Sequence, residues 1–203
     1  MMNHKISPEN LKLEQLAESI NNNIKLSLSK ESVDLISHCR SYLDRKLENN
    51  TSPIYGITTG FGSLQNITIS NNQLNKLQEN LVMSHACGTG DVVREEIVRL
   101  MLFLKIHALS LGRSGIQVET VQRLIDFFNE GITPVIYEQG SLGASGDLAP
   151  LAHLVLPLLG MGEVVYKGVR YEAGKILRET RLSPVELKSK EGLALLNGTQ
   201  FMS

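Results

Sequence analysis

Tryptophan is absent from the 203-residue chain, aromatic residues make up only 5% of it, and cysteine occurs twice. Cys39 and Cys87 lie far apart in helical patterns without C-x-x-C spacing, so they read as buried or half-buried free thiols. The histidines, His4, His38, His85, His107 and His153, show neither the H-E-x-x-H nor the mixed Cys/His spacing that zinc needs, and no metal is expected. Charge of neither sign is in excess: 20 basic against 21 acidic residues give a net charge of -1. Without a dense basic run or a basic face interleaved with aromatics, nucleic acid and anionic membrane are not expected partners, which leaves small molecules. No run of eighteen apolar residues exists, and residues 1–30 scatter Lys, Glu and Asn through their apolar positions unlike a secretory signal. The expectation is a cytoplasmic protein.

What is present is an ordinary soluble composition, 42% hydrophobic and 20% charged, enough for one domain or a domain and a half. Helical spacing dominates. Ser7-Pro8 reads as the start of a first helix carrying Leu11, Leu13, Leu16, Ala17 and Ile20. Ser29 caps a second with Val33, Ile36, Leu43 and Leu47. Ser70-Asn71-Asn72-Gln73 reads as a capping box for a third that runs through Leu74, Leu77, Leu81 and His85 and stops near Gly88. Asp91 opens a fourth, apolar almost all round over 97–111 and therefore expected at the centre of the core. A fifth covers 118–129 and is closed by Gly131. An apolar helix follows over 147–159, with Pro150 in its first turn and Pro157 bending its end. Residues 162–171 alternate around Lys167-Gly168 as a small hairpin, and a short helix is expected near 175–180. The fold class is mainly α with a minor β element.

Four segments carry chemistry. In Gly140-Ser-Leu-Gly-Ala-Ser-Gly-Asp-Leu-Ala-Pro-Leu-Ala-His153, the tripeptide Ala144-Ser145-Gly146 precedes a helix. If the loop is bent tightly, the Gly146 nitrogen can close a five-membered ring on the Ala144 carbonyl carbon, since Gly146 has no Cβ in the way. Loss of the Ser145 hydroxyl as water then leaves an exocyclic methylene. The run also admits a phosphate-binding loop, though not at G-x-G-x-x-G or P-loop spacing. A nucleophilic serine is another reading, though not at G-x-S-x-G spacing, and a structural turn with a helix cap is a third. Tyr55-Gly56-Ile57-Thr58-Thr59-Gly60-Phe61-Gly62 is either an ordinary turn or a mobile lid with a phenol at its head. Ser84-His85 falls in the last turn of a helix, where a histidine is favoured by the dipole alone. Asn197 in Leu195-Leu196-Asn197-Gly198-Thr199-Gln200 and Asp147 after the tripeptide both have helix-capping readings. His107 and His153 read as packed helix residues.

Together, and in this order, these segments resemble the aromatic amino acid ammonia-lyase family, most closely its histidine-specific members, over about residues 26–203. The resemblance implies the N-terminal part of the fumarase/aspartase-like ammonia-lyase fold. It also implies a 4-methylidene-imidazol-5-one formed autocatalytically from Ala144, Ser145 and Gly146, with no external cofactor, and Asp147 supporting its formation. Tyr55 is then the acid/base, a role a phenol fills only when ionised by neighbouring donors or positive charge. Ser84, His85, Asn197 and Gly62 bind substrate, Ser84-His85 being the pair that selects an imidazole ring. The implied reaction is elimination of ammonia from L-histidine to trans-urocanate, the first step of histidine degradation. Tyrosine-specific relatives that also carry Ser-His, and aminomutases with the same ring, are alternatives within the family.

Family members are well over twice this length. The resemblance therefore makes residues 1–203 an electrophile-bearing N-terminal domain. It leaves outside the chain a C-terminal helical bundle that supplies an arginine, a second tyrosine, a glutamate and much of a homotetramer contact. The competing expectation is a non-catalytic helical module that keeps the motifs without closing the ring.

Overall fold

The computed structural model describes residues 2–21, 24–49, 52–62, 65–70 and 73–202. At its centre lies α4 (Glu95–Ser110), in which Val98, Met101, Leu102, Phe103, Ile106 and Leu109 are all buried. The expected central placement of this segment is what the structure shows, although burial is not all round: Ile97, Leu100 and Leu104 are half-buried and Ala108 is exposed. Its first turn carries Glu95 and Glu96, placed to favour the positive helix end. Against it packs α5 (Val118–Glu130), whose apolar stripe of Val121, Leu124, Ile125 and Phe128 is buried while its other face is polar. Gly131 ends α5 at φ +68°, where its amide returns to the Phe127 carbonyl as the expected stop.

Ser29 caps α2 (Lys30–Asn49) as expected: its Oγ accepts the Ser32 amide at 3.0 Å. The start of the chain differs from expectation. Residues Met2–Ile6 form β1, paired in parallel with β2 (Ile24–Leu28), and α1 (Leu13–Asn21) begins well after Ser7-Pro8. A strand forms there because Ile6 is buried and pairs with Leu28, a partner distant in sequence. Asn71 and Asn72 of the expected capping box lie outside the described residues. The Ser70 carbonyl accepts the Gln73 amide, and α3 (Leu74–His85) follows.

Asp91 likewise does not open a helix. It lies in β3 (Thr89–Val92), which pairs antiparallel with β5 (Tyr137–Gln139), and α4 starts only after Arg94. The hairpin is present as β6 (Glu163–Tyr166) and β7 (Val169–Glu172), with Lys167 and Gly168 both at positive φ as a two-residue turn demands. It is extended by β4 (Ile132–Pro134) into a three-stranded sheet. α6 (Leu148–Val155) passes into a 3-10 turn over Leu156–Leu159 that contains Pro157, and α7 (Ala173–Glu179) and α8 (Glu191–Leu196) complete the order. Mainly α is therefore the class, with several short β pairings beyond the expected hairpin. Cys39 is half-buried and free, whereas Cys87 lies beyond the end of α3 and is exposed, contrary to expectation.

Helices α3, α6 and α8 pack pairwise against one another. His85 ends α3, Ser145 lies in the loop just before α6, and Asn197 is the residue that closes α8.

Candidate active site

Tyr55, His85, Ser145 and Asn197, from four separate segments, share the wall of one cavity of about 370 Å³ with Phe61, Leu81, Leu148, Leu193 and Leu196. A second cavity, of about 320 Å³, is lined by Ser84, His85, Cys87, Leu142, Ala144, Ser145 and Gly146 among others. Ser145 and His85 border both, so the tripeptide is reached from two sides.

The loop before α6 doubles back sharply. Backbone bridges run from Gly146 to Gly143 and to Ala144. Gly146 adopts φ +101°, a conformation that side-chain-bearing residues rarely adopt. The Asp147 amide donates to the Gly198 carbonyl at 2.8 Å, which ties the loop to the turn after α8. These features fit the strain a backbone ring closure requires, with Gly146 close to Ala144 and no Cβ between them.

Asp147 stands at the N-cap position of α6, yet its side chain makes no capping bond there. The carboxylate, 1% exposed, turns across the site and accepts the amides of Phe201 at 2.9 Å and Met202 at 3.0 Å. It thus pins the segment after Asn197 beneath the tripeptide.

Tyr55 is 60% exposed and meets Phe61 edge to face, with centroids 5.9 Å apart. Gly62 lies beside it rather than on either cavity wall, its amide donating to the Tyr55 phenol oxygen at 3.4 Å.

His85 is held by the end of its own helix. Its Nδ1 lies 2.8 Å from the Leu81 carbonyl and 3.2 Å from Ser84 Oγ, and Ser84 Oγ also donates to the Leu81 carbonyl at 3.1 Å. A carbonyl accepts only, so this geometry assigns the proton to Nδ1 and leaves Nε2 of the neutral ring as an acceptor. The dipole and capping reading of His85 is satisfied by the same contact. Asn197 is the C-cap of α8, and its Nδ2 donates to the Leu193 carbonyl at 3.2 Å.

His153 is packed, as expected. Its Nε2 accepts the Gly88 amide at 2.9 Å, its ring meets Tyr137 edge on, and burial lowers its pKa. His107 is also lowered, first by burial and then by nearby His4. Sequence reasoning missed Phe61 and the leucines that shape the cavity, and it missed Lys105. Lys105 is 2% exposed in α4 and donates to the carbonyls of Ala194 at 2.9 Å and Asn197 at 2.7 Å. A lysine in the apolar middle of a segment whose other polar residues are Arg99, His107 and Ser110 was the available signal. Among the described residues, no group of three or more His, Cys, Asp or Glu side chains is placed to hold a metal, and no helix is long and apolar enough to cross a membrane.

Known proteins resemble the chain over most of its length. The chain is 47% identical over 195 residues to a histidine ammonia-lyase of Natranaerobius thermophilus, covering 96% of this chain and 38% of that protein. Its fold superposes on a histidine ammonia-lyase from Trypanosoma cruzi with a TM-score of 0.89 at 38% identity, covering 99% of this chain and 38% of the other. It superposes on a tyrosine aminomutase from Streptomyces globisporus with a TM-score of 0.91 at 35% identity, again covering 99% and 38%. The chain thus spans about two-fifths of the length of these relatives. The sequence profile of the aromatic amino acid lyase family matches residues 11–203, and the chain belongs to that family.

Proposed function

We propose that the protein to which this chain contributes eliminates ammonia from L-histidine to give trans-urocanate. The observation that carries this reading is the convergence of Tyr55, His85, Ser145 and Asn197 on one cavity wall. The 4-methylidene-imidazol-5-one formed from Ala144, Ser145 and Gly146 would supply an electrophile that makes the substrate amine a better leaving group.

The chain's own residues divide the remaining work. His85, with its proton on Nδ1, offers Nε2 to the N–H of a substrate imidazole, and Ser84 holds the turn that fixes the ring. Asn197 presents an amide that donates and accepts toward the carboxylate end of the substrate. Tyr55, as phenolate, removes the β-proton. Backbone amides at the start of α6 stabilise negative charge that develops on the loop. Asp147 keeps that loop against residues 198–202.

On the same resemblance we propose that the whole protein is a cytoplasmic homotetramer acting on a small amino acid. A second reading, tyrosine as substrate of a lyase or aminomutase, is favoured by the likeness to the tyrosine aminomutase. Intact mass of the purified chain is the first test: a mass lower than the sequence by two waters is expected if the ring has closed. Incubation of the intact protein with histidine and with tyrosine then separates the readings. Urocanate from histidine supports the first, whereas coumarate or β-tyrosine from tyrosine, with no urocanate, overturns it. An unmodified mass without turnover supports the non-catalytic module.

A further inference from the structure

α8 is six residues long, too short to persist by its own hydrogen bonds in water. Buried side chains hold it at both ends. At its start, Glu191 is fully buried and its carboxylate accepts the Gln117 amide at 2.9 Å, Thr120 Oγ1 at 2.7 Å and the Lys188 amide at 2.8 Å. At its finish, carbonyls that have no partner within the helix require outside donors. Lys105 Nζ supplies them for Ala194 and Asn197.

The next carbonyl along, that of Gly198, accepts the Asp147 amide directly after the tripeptide. Lys105, the Asn197-Gly198 backbone and the Ala144-Ser145-Gly146 loop therefore form one chain of contacts. Nothing in the proposed chemistry uses Lys105 itself, and the amine has no carboxylate partner among the described contacts. A buried amine retained without an ion pair needs another purpose.

We propose that Lys105 is a positioning residue that holds the Asn197-Gly198 segment against the Ala144-Ser145-Gly146 loop, so that the loop stays compressed for ring closure and the Asn197 amide stays at the cavity wall. The proposal rests on the reading of residues 144–146 as ring-forming. Burial lowers the Lys105 amine from 10.5 to about 7. A neutral amine has two N–H groups, matching the two carbonyls it meets.

The test follows the loss of two waters by intact mass in the unsubstituted chain, in Lys105→Met and in Lys105→Gln. Lys105→Met keeps an apolar stem but cannot donate, and it is expected to slow the loss about tenfold through two unsatisfied carbonyls. Lys105→Gln, whose amide donates, is expected to recover part of that rate. Closure in folded Lys105→Met at the unsubstituted rate overturns the proposal.

If the unsubstituted chain itself loses no water, the ring reading fails separately, and Lys105 is judged by hydrogen exchange. In whichever variant keeps the parent far-ultraviolet circular dichroism, the Asp147 amide, bonded to Gly198, should exchange about tenfold faster relative to the Leu151 amide, bonded to Asp147. Equal change at both amides, or none, overturns the proposal, as does failure of both variants to fold, which would make Lys105 a determinant of the fold alone.

Discussion

The carbonyl oxygen of Gly198 lies 2.6 Å from the point that a Cβ on Gly146 would occupy. That oxygen cannot simply swing aside, because it accepts the Asp147 amide at 2.8 Å. Gly146→Ala therefore meets both a backbone clash and a strained φ of +101°. The substitution is expected to lower stability by about 1–3 kcal/mol and to stop ring closure. Denaturant unfolding reads the first effect, and intact mass, which should stay at that of the unmodified variant, reads the second.

Asp147 acts in the structure as a bracket rather than as a cap. Removing its carboxylate in Asp147→Ala leaves the Phe201 and Met202 amides without their acceptor. Exchange of those two amides is expected to accelerate about tenfold or more, since hydrogen bonds to charged groups are the stronger ones. Asp147→Asn retains an acceptor oxygen and should show a smaller change. Equal acceleration in both variants would show that the oxygen is not what orders residues 201–202.

How far the sequence could be read follows from the range over which each element is determined. α5 and its Gly131 stop were legible because amphipathic spacing and a glycine cap are local, and so was the turn at Lys167-Gly168. β1 and β3 were not, because their partners, β2 and β5, lie far along the chain and strands this short carry little periodicity of their own. Asp91 looked like a helix start for that reason. The segments around Tyr55, His85, Ser145 and Asn197, which line one cavity, were singled out through resemblance, while composition alone left each with a bland alternative. Lys105 was hidden for a different reason. Its partners are backbone carbonyls about ninety residues away, which no side-chain motif announces.

Tyr55 offers a clean separation of chemistry from folding. The ring is 60% exposed and its edge contact with Phe61 does not need the hydroxyl. Tyr55→Phe loses only the long, exposed bond from the Gly62 amide, so it should lower the unfolding midpoint little and leave the two-water loss unchanged. In protein that converts histidine, it should lower kcat by about 100-fold to 10,000-fold, the range general acid–base groups contribute. A variant that keeps full turnover would remove Tyr55 from the reaction and leave it a lining residue.

Lys105 sets a pH dependence whose sign is fixed by its direction of shift. Burial lowers the amine from 10.5 in the open chain to about 7 in the folded one. Between these values the unfolded chain holds a proton that the folded chain has released, so stability contributed by this group rises with pH across that window. Below about pH 7 both states are protonated, the slope vanishes, and the folded state bears the whole burden of a buried ammonium. Lys105→Met removes the titration. The difference in unfolding free energy between the unsubstituted chain and Lys105→Met should therefore shift in favour of the unsubstituted chain as pH is raised from about 7 toward 10. Denaturant titrations of both proteins across that range measure it. A difference that stays flat would mean that the amine remains protonated on its carbonyls, held there by the negative end of α8 against the pull of burial.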